Sequence, residues 1–181
     1  KEGALHGTLV IAQQQTAGRG RLGRNWDSPK EQAIYMTLLI RPNISPQNAS
    51  KVTLIAALAA AKGIREVAGM PPQIKWPNDI TINNKKLSGI LTELSAEIER
   101  VNYIVVGIGM NVKDTDFEEE LQDKATSLYK ENYNVSRVDI VKEILCQFEK
   151  LYLDYIEKDD KKEVLDICRQ YSAIINKEIY V

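Results

Sequence analysis

The chain has one histidine, His6, and two cysteines, Cys146 and Cys168. It therefore offers no Ser-His-Asp or Cys-His arrangement for nucleophilic catalysis, and no cysteine pair at metal-ligand spacing. His6 lies near the terminus and reads as a bystander. So few thiols fit core packing in a reducing cytoplasm, the expected location. No apolar run approaches the ~18 residues that would span a bilayer. A signal-peptide pattern is also lacking, and the start, KEGALHG, carries no methionine, which leaves room for an upstream segment.

An excess of either charge is missing as well. Lys plus Arg number 24 against 25 Asp plus Glu, a net charge of −1. Three of the basic residues, Arg19, Arg21 and Arg24, sit in one short stretch. Without them the remainder holds 21 basic against 25 acidic residues. Positive charge is thus local, unlike the broad basic face of a nucleic-acid binder. At 181 residues, with 44% hydrophobic and 27% charged, the chain has the make-up of one globular domain that needs no disulfide or metal staple.

Residues 7–13 and 33–41 read as strands. A helix capped by Ser45 or Ser50 runs to about Gly69, where AGMPP stops it. QIKWPNDITI, LSGILTEL and NYIVVGIGMNV follow as strands, with Asn83-Asn84 as a hairpin turn. Val138, Val141, Ile144, Leu145, Phe148, Leu151, Tyr152 and Tyr155 trace one face of a long helix. Residues 160–171 form another helix, and NKEIYV begins a strand. The acidic stretch 114–123 and the charged turn 157–163 read as solvated. The pattern predicts an α+β or mixed α/β domain.

Three stretches carry chemistry. QTAGRGRLGRNW contains Gly18-x-Gly20-x-x-Gly23, the letters of a dinucleotide fingerprint. That fingerprint must open a helix, whereas here Trp26-Asp27-Ser28-Pro29 follows, which is turn chemistry. Residues 36–44 also lack the acidic group such a fold needs. A Walker loop is not present. What remains is a glycine loop carrying planar guanidiniums suited to phosphate or carboxylate. Alone, it fits a solvated basic turn, a nucleic-acid contact or a small-molecule anion site. Next, Lys75 in KWPND stands in an otherwise apolar strand, where a charge is costly unless paired or functional. Finally, Gly107-Ile-Gly109-Met-Asn111 ends an apolar strand, where glycines mark a bulge or a ligand's close approach.

Together and in this order, QTAGRGRLGRNW, KWPNDI, KKLSGILTEL and VVGIGMNV, with ATSL at 125–128, resemble the catalytic domain of the biotin protein ligases (biotin–[acetyl-CoA-carboxylase] ligases). The resemblance spans about residues 8–128. It implies a class II aminoacyl-tRNA-synthetase-like fold, a central mixed sheet flanked by helices. It implies formation of biotinyl-5′-AMP from biotin and ATP with Mg2+, then transfer of biotin to a lysine of a biotin carboxyl carrier protein. Bringing two anions together calls for cations and positioning, with no nucleophilic side chain.

By this resemblance Lys75 and Arg21 are the catalytic residues. Gln15, Arg19, Gly20, Arg21, Lys75, Gly89, Gly107 and Gly109 would serve biotin. Arg24, Trp26 and Asn111 would serve ATP, with Trp26 on adenine and Asn111 near phosphate or Mg2+; no metal-ligating residue is assigned. Residues 1–176 would be the catalytic domain without its N-terminal start, where the family carries a Ser-Thr-Asn segment. Residues 177–181 would begin an SH3-like C-terminal domain. Homodimerisation through the sheet is implied, and DNA contact only where an N-terminal helix-turn-helix exists; no membrane role is. The related lipoate–protein ligases are the alternative enzyme, and a nucleic-acid-binding module is the alternative from another class.

Overall fold

Alternation along the strands decides how the molecule is layered. In a strand, successive side chains face opposite sides. On β2 (Ala33–Ile40) the even positions Ile34, Met36, Leu38 and Ile40 are buried in the core. On β6 (Val101–Asn111) Ile104, Val106, Ile108 and Met110 do the same, while Val105, Gly107 and Gly109 face the other way. The computed structural model describes residues 3–113, 116–157 and 162–175. The expected strand at NKEIYV and the proposed second domain at 177–181 lie outside them.

Four more strands complete the sheet: β1 (Thr8–Ala12), β3 (Gln73–Lys75), β4 (Asp79–Ile82) and β5 (Lys85–Ala96). Their order is β1-β2-β6-β5-β4-β3, and every neighbouring pair is antiparallel. The α+β class stands, with the sheet antiparallel at each strand pair. Among the described residues parallel pairing is confined to two isolated bridges, Ile74 with Ser172 and Lys86 with Ala125. The expected hairpin is present at Asn83-Asn84, where both residues take positive φ (48° and 64°), as a tight β4–β5 turn requires.

One sheet face is covered by α1 (Ser50–Ala68) and α2 (Arg137–Tyr152). Helix α1 is apolar on nearly all sides, with Leu54 through Ala61 all buried, as befits a helix packed between the sheet and another helix. Its N-terminus is capped by neither expected serine. Ala49 holds that position without a side-chain hydrogen bond, and Ser45 precedes a short 3-10 turn at Pro46–Asn48. Gly69 ends the helix at φ 66°, a left-handed C-cap. The stripe on α2 differs at its start. Val138 is 60% exposed, and Ile140 is buried in its stead. Ser136 caps α2 by accepting from the Asp139 amide at 3.4 Å. After a π-helical turn, Leu153–Glu157, α3 (Lys162–Tyr171) closes the helical layer, with Val164 and Cys168 in the core.

The two helices meet at Gly63. A Cβ there would lie 2.8 Å from Ile144 Cγ1 and 3.0 Å from the Ile144 backbone nitrogen. Replacing Gly63 by alanine adds about 1 kcal/mol of helix propensity. Overpacking costs about 1–3 kcal/mol, and a backbone atom cannot move aside as a side-chain tip can. The clash wins. Gly63→Ala is expected to lower stability by about 1–2 kcal/mol in urea unfolding, and Gly63→Val by more.

The two thiols differ in setting. Cys146 is exposed, whereas Cys168 is buried and burial pushes its thiol up to about 11. A maleimide at neutral pH should label Cys146 alone in the folded chain, and both cysteines once it is unfolded.

Candidate functional site

The glycine–arginine stretch folds as a small hairpin. Arg19 bridges Asn25, the Gly20 amide donates to the Arg24 carbonyl at 2.7 Å, and the Trp26 amide donates to the Gly18 carbonyl at 3.0 Å. At its tip Leu22 and Gly23 both take positive φ (58° and 73°), and Leu22 is 88% exposed. Gly18 is needed for a different reason. A Cβ there would collide with the Trp26 carbonyl oxygen and come within 2.7 Å of Ser28 Oγ.

The hairpin lays Trp26 on the open face of the sheet. A Cβ on Gly109 would be 2.6 Å from the indole, and one on Gly89 would be 2.9 Å from it. These two glycines, paired across β5 and β6, leave a gap that the ring fills. Gly107, further along β6, meets only the Leu91 carbonyl at 3.6 Å, so the space above it is open. The Trp26 Nε1 atom is buried and has no hydrogen-bond partner among the described residues. Such a donor costs about 1–3 kcal/mol until a ligand accepts from it.

A polar chain runs from the hairpin into the sheet. Arg21 Nη1 donates to Asn78 Oδ1 at 2.8 Å. Asn78 Nδ2 donates to the Ile90 carbonyl and to Asp79 Oδ1, both at 3.1 Å, which fixes the amide and aims its oxygen at Arg21. Asp79 in turn pairs with Lys86 Nζ at 2.8 Å. Lys86 Nζ also stands 5.4 Å from the Trp26 ring centroid, within cation–π range.

Two connected hollows surround this chain. The inner one, about 410 Å3, is lined by Gln15, Arg19, Gly20, Arg21, Trp26, Lys86, Gly89, Gly107 and Gly109, with Tyr35 and Thr37 of β2. That volume suits a small organic molecule. Gln15 is held at the wall by its Nε2 donating to Ser28 Oγ at 3.1 Å. Tyr35 donates to the Pro29 carbonyl at 3.0 Å, and burial foremost pushes its phenol up to about 12, so it stays neutral at working pH. The outer hollow, about 1050 Å3, lies between the hairpin and the start of α1, and Arg24 and Lys51 line it. The same arginines, Arg19 and Arg21, line both.

Most sequence candidates therefore converge, but two do not. Lys75 ends the edge strand β3, is exposed, and lines neither hollow. The premise of a charge forced into an apolar strand fails, because only its neighbour Ile74 points into the core. Asn111 is buried, donates through Nδ2 to the Thr126 carbonyl at 3.0 Å, and lines neither hollow. Trp26 belongs to the inner hollow, and Gly89 and Gly109 make room for its indole. Lys86 is the cation that sequence reasoning missed. It lay in the quoted KKLSGILTEL, but strand alternation alone sets it on the face opposite Gly89, and the irregular β4–β5 register and the Trp26 contact bring it to the hollow.

The Biotin/lipoate A/B protein ligase family matches residues 2–111. The chain is 48% identical over 156 residues to the bifunctional ligase/repressor BirA of Bacillus subtilis (strain 168), covering 84% of this chain and 48% of that protein. It is 36% identical over 128 residues to the biotin–[acetyl-CoA-carboxylase] ligase of Mycobacterium tuberculosis (strain ATCC 25618 / H37Rv), covering 68% and 46%. The chain thus spans about half the length of the curated relatives it matches. The solved biotin protein ligase from Aquifex aeolicus in complex with biotin and ATP superposes with a TM-score of 0.82 at 31% identity. That match covers 94% of this chain and 70% of the other. No helix among the described residues is long and apolar enough to cross a membrane.

The glycine pair yields a direct test. Gly109→Ala should displace the indole, seen as altered near-ultraviolet circular dichroism in a Trp76→Phe background. Gly107→Ala should leave that signal unchanged.

Proposed function

This chain belongs to the biotin/lipoate A/B protein ligase family, and from that premise we propose that it activates biotin with MgATP and passes it to a lysine of a biotin carboxyl carrier protein. The observation that carries the reading is the inner hollow, where Arg19, Arg21 and Lys86 converge beside an open glycine floor. The relatives' names and the biotin- and ATP-bound neighbour favour the biotin branch over lipoate.

In this reading the ring of biotin lies over Gly107, with Gln15 available to its polar edge. Its carboxylate turns toward Lys86. A carboxylate oxygen attacks the α-phosphorus of ATP, the new O–P bond forms, and pyrophosphate leaves with the electron pair. Lys86 and Arg21 neutralise the two anions and the charge that develops between them, the largest single device available without a nucleophile. Lys86 takes the role that the family resemblance gave to Lys75. Asp79 would hold the Lys86 ammonium in place while it turns a second proton toward the reactants. Arg19, Gly20 and Arg21 of the hairpin would cover the mixed anhydride against water. Arg24 would meet the outer phosphates.

Magnesium would enter on the triphosphate. The described residues contain no group of three His, Cys, Asp or Glu that could cage it, and this ion is commonly held through substrate phosphates and water. The transfer step then joins the acceptor lysine nitrogen to the acyl carbon. AMP leaves with the electrons of the broken C–O bond, and the two protons lost by the ammonium go to solvent. Residues 1–176 act as the catalytic portion, the setting is cytoplasmic, and a second copy of the chain pairs through the sheet.

Biotin-dependent ATP–pyrophosphate exchange tests the reading, with lipoate as control. Lys86→Ala should reduce exchange by at least about 100-fold, the scale for losing one preorganised charge in such a site. Lys75→Ala should stay within a few-fold. Arg21→Ala should release biotinyl-AMP faster. Absence of exchange with biotin would sink the proposal.

A further inference from the structure

Among the described residues Glu93 is the one carboxylate that lines either hollow, and it lines both. Its strand position explains why. Thr92 turns to the helical layer, where Thr53 Oγ1 of α1 donates to its hydroxyl at 2.9 Å. Glu93, the next residue, therefore shares the open face with Leu91 and Gly89, directly across from Val105. It is exposed and has no hydrogen-bond or ion-pair partner among the described residues. Every other charged group lining the two hollows is a cation: Arg19, Arg21, Arg24, Lys51 and Lys86.

A carboxylate at that junction opposes the binding of two anionic reactants, so its use must lie elsewhere. The second half-reaction supplies one. An incoming lysine is an ammonium, and along this route it meets five cations that repel it and a single anion that does not. We infer that Glu93 is the docking subsite for the acceptor's primary ammonium, holding it where the outer hollow opens onto the inner one; this rests on the ligase reading above. A divalent metal is the poorer occupant. It would want several oxygen ligands, and Asp79, the other carboxylate of the site, is committed to Lys86. Glu93 forms and breaks no covalent bond. Once held, the amine loses its proton to solvent before attacking the acyl carbon.

The test is single-turnover transfer from purified biotinyl-adenylate on the intact protein. The acceptors are a biotin carboxyl carrier domain and hydroxylamine, a neutral amine at pH 7.5. Glu93→Gln should lower kcat/KM for the carrier about three- to tenfold through KM, the range for a partly exposed charge pair. Hydroxylamine transfer and pyrophosphate exchange should stay within about twofold, and Glu93→Asp should restore part of the carrier rate. Equal losses with both amines, unchanged carrier transfer, or a raised magnesium requirement for exchange would each overturn the assignment. A wild-type protein without biotin-dependent exchange would overturn the ligase reading itself, and this inference with it.

Discussion

Two glycines on adjacent strands leave a gap the width of an indole, and the site is arranged around the tryptophan that fills it. Gly89 and Gly109 let Trp26 lie against the sheet at a distance that any Cβ would forbid. That contact fastens the end of the arginine hairpin to the open face. It also puts Lys86 over the ring and leaves Gly107 beside it uncovered. A side chain at either paired glycine would lift the indole, and with it the anchoring of the hairpin's arginines over the hollow. The steric constraint comes first, and the electrostatics follow from it.

Those electrostatics join loop and sheet through a defined chain of donors and acceptors. Arg21 reaches Asn78, Asn78 is oriented by Ile90 and Asp79, and Asp79 holds Lys86. No member is idle, so the two cations, Arg21 and Lys86, are set by the groups behind them. Bridges between partly exposed groups add little stability. Their value here is position, because preorganised charge stabilises a developing anion without reorganising at the moment of reaction.

Much of the fold was legible. The helical stripes, the Asn83-Asn84 hairpin and the Gly69 stop all act through local rules, of period 3.6, positive φ and a left-handed cap, that any window of sequence displays. The helix N-terminus at Ala49 and the exposed Val138 were less so, because neighbouring elements decide which turn of a helix is covered. In the site, the arginine hairpin and the three glycines were readable as a group. Lys75 and Asn111 lie outside that group for different reasons: β3 is an edge strand three residues long, and the Asn111 amide is turned to the Thr126 carbonyl.

The order of the motifs, the local concentration of guanidinium groups and the strand character of β5 and β6 were determined by sequence alone, since each depends on residues near one another in the chain. Which lysine lines the hollow was decided only by tertiary structure. Lys75 and Lys86 lie on the strands either side of β4, and both belong to quoted motifs. Antiparallel pairing, with a register shift between Ile80 and Thr81, brings Lys86 beside Asp79 and Trp26 and leaves Lys75 in solvent. A charge's place in a cleft depends on what packs across from it, which can lie some sixty residues away along the chain, as Trp26 does from Lys86.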